Sequence, residues 1–219
     1  MWSSEVTNMI ITGIWETLYM TLVSTLVGYV IGLPMGIILK VSDKDGIKPN
    51  AVLYKILDVI ANIVRSVPFI ILLVLLIPFT RLVVGKSYGS TATIVPLVIA
   101  AAPYIARMVE SSLKEVDAGV IEAARSMGAS NFTIITKVML VEARTSLLVG
   151  ATITLGTILG YSAMSGAVGG GGLGAIAIRY GYTRWQTDIM IVTVILLIIL
   201  FQIFQTVGMK LADKFDHRK

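Results

Sequence analysis

Gly85-Lys86-Ser87 has the closing residues of a phosphate-binding loop, in which backbone N–H groups and a lysine cradle phosphate oxygens. Such a loop also needs a glycine five positions before Gly85 and a strand ahead of it, and Thr80 stands at that position. Nucleotide binding is not expected here. The single histidine, His217, lies in a charged tail and reads as solvated. The chain has no cysteine, hence neither disulfide nor thiolate chemistry. It has no metal-ligand cluster, no nucleophile beside a base and no carboxylate pair at workable spacing, so no catalytic residue is assigned. What remains is mechanical. From Asp117 to Glu142 the sequence reads DAGVIEAARSMGASNFTIITKVMLVE, the longest amphipathic island in an apolar chain. Val116, Val120, Ile121, Ala124 and Met127 recur at helical spacing and fall on one broad face. Gly128 suits the left-handed position that closes a helix, Ser130 or Asn131 can cap the next, and Phe132, Ile135, Val138 and Met139 resume an apolar face. Glu122 and Arg125 lie on the opposite side of the first helix. Two short helices about a break form a knob, and a knob needs a socket.

The elements that would hold that knob are legible in composition. Of 219 residues, 56% are hydrophobic and 14% charged, which excludes an ordinary soluble domain. Residues 17–39, 66–80, 87–106, 145–178 and 189–209 contain no Asp, Glu, Lys, Arg or His. A helix crossing hydrocarbon needs about 20 such residues, and the second run reaches that length if it begins near Val59 with Arg65 close to a surface or facing protein. The expectation is an all-α membrane protein forming one transmembrane domain over 1–219, with five spanning helices at about 10–39, 56–79, 88–109, 140–164 and 189–211 and a loop at 117–142. The net charge of +5 is explained by placement rather than by nucleic-acid binding. Lys40, Lys44, Lys48, Lys55 and Arg65, then Arg107, Lys114, Arg125, Lys137 and Arg144, then Lys210, Lys214, Arg218 and Lys219 share one side of a five-helix chain. Arg81, Lys86, Arg179 and Arg184 take the other. That bias of fourteen to four places the knob and the C-terminus in the cytoplasm and the N-terminus outside. Trp2, Trp15, Tyr19, Tyr180, Tyr182 and Trp185 then fall at the outer interface. The N-terminus lacks a basic region and a cleavage site, so no removable signal is read.

Within the helices, Gly28, Gly32 and Gly36 form two overlapping G-x-x-x-G units around Pro34, a close-packing stripe or a weak spot that bends. Glu16 reads as solvated at the outer end. Arg65-Ser66-Val67-Pro68-Phe69 predicts a kinked second helix whose freed backbone groups suit a cavity wall, which makes Ser66, Pro68 and Phe69 pathway candidates. Arg107, Glu110, Lys114 and Glu115 read as a charged helix end. Six of the nine residues from Gly166 to Gly174 are glycine, so helix 4 must stop there, either in a tight re-entrant turn or in a surface that another backbone can approach.

No acidic residue occupies the expected mid-membrane regions, where a proton- or sodium-coupled carrier keeps its ligands. Any uphill transport would take its energy from elsewhere. Five helices are few to enclose a route, so a dimer with the route on its two-fold axis is expected. Glu122-Ala123-Ala124, Gly128 and Val138-Met139-Leu140 resemble the EAA loop of ABC importer permeases, with Val138 where Ile is usual and Val141 where Pro is usual, which predicts a straighter entry to helix 4. Arg65-Ser-Val-Pro-Phe-Ile-Ile-Leu-Leu, Ile77-Pro-Phe-Thr-Arg81, Ala101-Ala-Pro-Tyr-Ile-Ala-Arg-Met-Val-Glu110 and the segment Gly160 to Gly174 are similar to the permease family of methionine ABC importers over nearly the whole chain. The resemblance implies a type I importer of two permeases, two cytoplasmic ATPase subunits that bind ATP and Mg, and an extracytoplasmic methionine-binding protein. Each EAA helix would sit in an ATPase groove, and the domain sensing internal methionine belongs to the ATPase. Glu122, Ala123, Ala124, Arg125 and Gly128 become the coupling residues. Tyr161, Ser162 and Met164 join Ser66, Pro68 and Phe69 along the pathway and gate. The alternatives are an ABC permease for another small amino acid, a self-contained secondary carrier, and a membrane scaffold.

Overall fold

The computed structural model describes residues 4–215, and within them every regular element is helical, with no strand. Trp2, His217, Arg218 and Lys219 lie outside the described residues. Helix α1, Ser4–Ser42, is 39 residues long and runs unbroken through Pro34. Gly28, Gly32 and Gly36 lie against α5, Ser90–Lys114. A Cβ at Gly28 would stand 2.9 Å from Ala101 Cβ, one at Gly32 2.6 Å from the Ala102 carbonyl oxygen, and one at Gly36 2.5 Å from that of Ala106. The stripe is therefore a packing seam rather than a bend: small residues let two backbones meet where lipid supplies no hydrophobic drive for helix association. Met20, Leu97, Ile105, Val109, Leu113 and Ile158 fill the core along it.

The expected single helix over 56–79 is instead three. Helix α2, Ala51–Ser66, ends at Val67, whose backbone is extended because a following proline disfavours the helical region. Pro68 opens α3, Phe69–Leu75, after a bend of 102°, and α4, Ile77–Val84, ends on Gly85 in the left-handed region. A proline beside an extended residue breaks a helix where one proline alone would kink it. After α5 the island folds as α6, Ala118–Ser126; α7, Asn131–Thr133; a wide π-type stretch, Ile134–Met139; and α8, Leu140–Glu142. Helix α9, Arg144–Ser165, follows at once, so the helical backbone from 131 to 165 is irregular only at Ala143 and the wide turns. A tight turn at Gly166–Val168 then sends the chain back as α10, Gly172–Ile176, before α11, Thr187–Lys214.

Four stretches are long and apolar enough to cross a membrane: α1, α5, Arg144–Tyr182 and α11. A fifth exists where the bent pair α2 and α3 is one span. Ile191, Val194, Ile195, Ile198 and Ile199 leave α11 apolar and exposed, as a lipid-facing helix is. Trp15, Tyr19, Tyr182 and Trp185 are exposed at the end that carries the glycine-rich turn, where an aromatic belt would lie.

Candidate functional site

At the opposite end, the island has the form its sequence predicts. The Asp117 carboxylate accepts the Gly119 N–H at 2.7 Å and starts α6. Gly128 ends the turn after it at φ +80°, and the Ser130 hydroxyl accepts the Thr133 N–H at 3.2 Å to begin α7. The apolar face is less simple than helical spacing suggests. Ala124, Ile134 and Met139 are buried, and Val116 and Ile121 pack against the core. Val120 and Met127 point outward instead, with Met127 81% exposed and Phe132 75% exposed. The six-residue π-type stretch Ile134–Met139 shifts the helical register only within itself and of the residues that follow it. Exposed Glu122 and Ala123 sit beside these apolar tips, whereas Ala124 anchors the helix from within. Arg125 reaches back to donate to the Ile47 carbonyl at 3.0 Å, tying α6 to the loop before α2.

That loop is itself held. Arg107 pairs with Asp58 and, at 2.7 Å, with Glu110, and donates to Asn62 at 3.0 Å. Lys114 pairs with Glu110 at 2.8 Å and Asp43 at 3.1 Å, and the Tyr54 hydroxyl donates to Glu110 at 3.2 Å. Glu110 is buried, so this is not the solvated helix end that charge alone implies but an ionic latch fastening α2 and its loop to α5. Burial would raise the Asp43 carboxyl, but hydrogen bonds from Lys114 and the Lys44 N–H, with the field of Lys114 and Lys40, hold it below the usual carboxylate range.

Of the expected pathway residues, the structure brings two together. The Phe69 ring stacks on Tyr161 with centroids 4.5 Å apart and planes within 2°, joining the break after α2 to α9. Ser66 is exposed and donates to the Asn62 carbonyl; Pro68 and Met164 are also exposed. Ser162 is buried, donates to the Leu159 carbonyl at 2.8 Å and accepts from Ser165 through its own carbonyl at 2.6 Å, so its hydroxyl serves the helix end.

The glycine-rich turn closes on its own chain. A Cβ at Gly174 would stand 2.1 Å from the Ala163 carbonyl oxygen, and one at Gly166 2.2 Å from the Ala175 nitrogen. Glu16 is not merely solvated: its carboxylate accepts the Gly172 N–H at 2.7 Å, and the Thr17 hydroxyl accepts that of Leu173 at 2.9 Å. Sequence reasoning missed this pair because the partners lie 156 positions apart. The local signal was a lone acid at an apolar helix end, facing a run rich in free N–H groups.

Comparison with known proteins places the whole chain. Residues 30–218 match the family model for the binding-protein-dependent transport system inner membrane component. A probable D-methionine transport system permease protein of Vibrio cholerae is 49% identical over 99% of this chain and 96% of its own length. A methionine import system permease protein of Bacillus subtilis is 44% identical over 100% of both chains. A chain of the MetNI methionine ABC transporter, solved in an inward-facing conformation, superposes with a TM-score of 0.97 at 49% identity, covering 99% of this chain and all of that one. An amino-acid ABC transporter solved with histidines shares the fold alone, with a TM-score of 0.73 at 22% identity.

Proposed function

This chain belongs to the family of binding-protein-dependent transport system inner membrane components, and on that premise we propose that it is the permease subunit of an ATP-driven methionine importer. The observation that carries the reading is the α6 knob, whose Val120, Met127 and Phe132 are exposed while buried Ala124 and the Arg125–Ile47 hydrogen bond hold it from behind. Apolar side chains kept outward on a rigid, capped helix suit insertion into a partner's groove. Val120, Glu122, Ala123, Met127 and Phe132 make the contact with a cytoplasmic ATPase. Ala124 and Arg125 position it, and Gly128 sets the angle of the hinge. The chain hydrolyses nothing itself; ATP and Mg are bound by the two ATPase subunits.

In this reading the knob and the C-terminus face the cytoplasm. The glycine-rich turn and the N-terminus face outward, toward an extracytoplasmic methionine-binding protein. Two copies meet about a two-fold axis and form the pathway between them. ATP binding draws the ATPases together, both α6 helices move, and the motion passes through the Arg125 link and the latch to α2 and α5. The stacked Phe69 and Tyr161 join the moving break to α9, and with Met164, Ser66 and Pro68 they line or gate the route. Flat aromatic rings and a thioether are adaptable surfaces for an apolar thioether substrate. Reconstitution with the cognate ATPase and binding protein is the test. ATP-dependent uptake of labelled methionine, displaced by excess unlabelled methionine and not by other small amino acids, is expected. Uptake without ATPase would overturn the reading, and displacement by a different amino acid would transfer it to that solute.

A further inference from the structure

We propose that Arg65 is the pathway cation that engages the carboxylate of the amino acid in transit. The inference rests on the transport reading above. Arg65 lies in the last turn of α2, past Asn62 and before the 102° break. Its depth follows from neighbours on both sides. Asn62 meets Arg107 seven residues inside the latch end of α5, and Phe69 meets Tyr161 near the far end of α9. Arg65 lies between these two contacts and so within the thickness that the spans define. It therefore does not join the surface cluster formed by Lys40, Lys44 and Lys48.

Its direction is fixed by helix geometry. At about 100° per residue, Arg65 continues the stripe of Asp58 and Asn62 that faces α5, and it points roughly opposite to exposed Ile56, Ile60 and Ile63. Those three isoleucines can meet lipid; the guanidinium cannot do so without large cost. Yet Arg65 is exposed, and no hydrogen bond or ion pair joins its side chain to another described residue. Asp58 is already taken by Arg107. A cation at bilayer depth, facing away from lipid and without an acid of its own, is satisfied by water and by an anion that visits. An amino acid carries such an anion, and the Phe69 and Tyr161 rings next to the break offer an apolar surface for its side chain. Guanidinium and carboxylate match in a two-bond fork.

This chain has no native cysteine, and the parent transporter treated with the same reagents controls for thiols on the other subunits. Arg65→Cys, in the full transporter in proteoliposomes with binding protein and ATP, should lower methionine uptake about tenfold, the scale of one lost charged hydrogen bond. ATP hydrolysis should stay within about twofold of the parent. An aminoethyl thiosulfonate reagent, which restores a positive charge, should recover uptake, and a sulfonatoethyl reagent should not. Arg65→Lys is the second variant and should retain most of the uptake. Equal effects of the two reagents, failure of the thiol to react, or uptake in Arg65→Cys at the parent level would each overturn the assignment. If Arg65→Cys does not assemble, Arg65→Gln set against Arg65→Lys decides it: equal uptake per ATP refutes the role, and loss in Gln alone supports it. Absence of methionine uptake by the parent transporter would sink the transport reading instead.

Discussion

Two interruptions divide the second half of this chain, and they solve opposite problems. The first, between α5 and α9, leaves its apolar residues in the open: Val120, Met127 and Phe132 project from two short capped helices. The second, between α9 and α11, folds inward. Leu173 is fully buried, Gly174 lies against the Ala163 carbonyl, and the backbone N–H groups of Gly172 and Leu173 are taken by Glu16 and Thr17. A break that satisfies its own polar groups and buries its own side chains asks for nothing from outside. One that holds apolar side chains outward on a stiff mount is unfinished without a partner. The contrast teaches that a glycine-rich run is not by itself a docking surface, and that an apolar tip held away from its own core is the better sign.

The same substitution placed in both breaks should sharpen this difference. Gly174→Val has no room, because the first added carbon already overlaps backbone, so the largest effect is expected there: loss of folded, monodisperse protein on gel filtration in detergent. Folding of that variant at parental yield would show that the glycine turn is looser than drawn. Next comes the double change Met127→Ser with Phe132→Ser. Both side chains are exposed in the lone chain, so stability should hold, while ATPase binding should weaken by about 2–4 kcal/mol if both are buried in the groove. Titration of ATPase onto the immobilised permease reads this, and unchanged affinity removes the knob from the interface. Gly128→Val should affect ATPase binding less, although it costs the fold more than the double change. Its added carbon would meet nothing within 4 Å, leaving only the strain of φ +80°, about 1–3 kcal/mol. The chain should fold and bind ATPase, yet move less methionine per ATP because the hinge angle has changed. Normal coupling would reduce Gly128 to a mere helix stop.

How much of this was readable beforehand follows from the range of the forces involved. Asp117, Gly128 and Ser130 act within a few residues, so the two helices of the knob and their caps were legible. Gly28, Gly32 and Gly36 signalled a seam by spacing alone, although only the structure names α5 as the other side. Uncharged runs marked the spans, because hydrocarbon constrains every residue in the same way. Three features were hidden. The break at Pro68 depends on the extended Val67 as well as on proline. The inward turn of Ala124, against the outward turn of Met127, depends on what packs behind α6. The latch draws Asp43 from a loop, Asp58 from α2, and Arg107 and Lys114 from α5, and charge counting saw them only as surface cations and their neighbours.

The smallest effect tests the self-sufficiency of the glycine break. Glu16 supplies the one side-chain charge seen bonded to its N–H groups among the described residues, at 2.7 Å from the Gly172 nitrogen. Glu16→Gln keeps the size and the accepting oxygen but removes the charge. A charged acceptor is worth more than a neutral one, so the turn should lose about 1 kcal/mol. The fold survives, since Thr17 and the packing of Leu173 remain. Local opening should rise roughly fivefold, visible as faster hydrogen exchange confined to residues 170–176, with the α6 knob unchanged. Exchange that speeds up equally at both ends would mean that the two breaks are one cooperative unit. Exchange unchanged at both would mean that the glycine backbone, not the carboxylate, holds the turn closed.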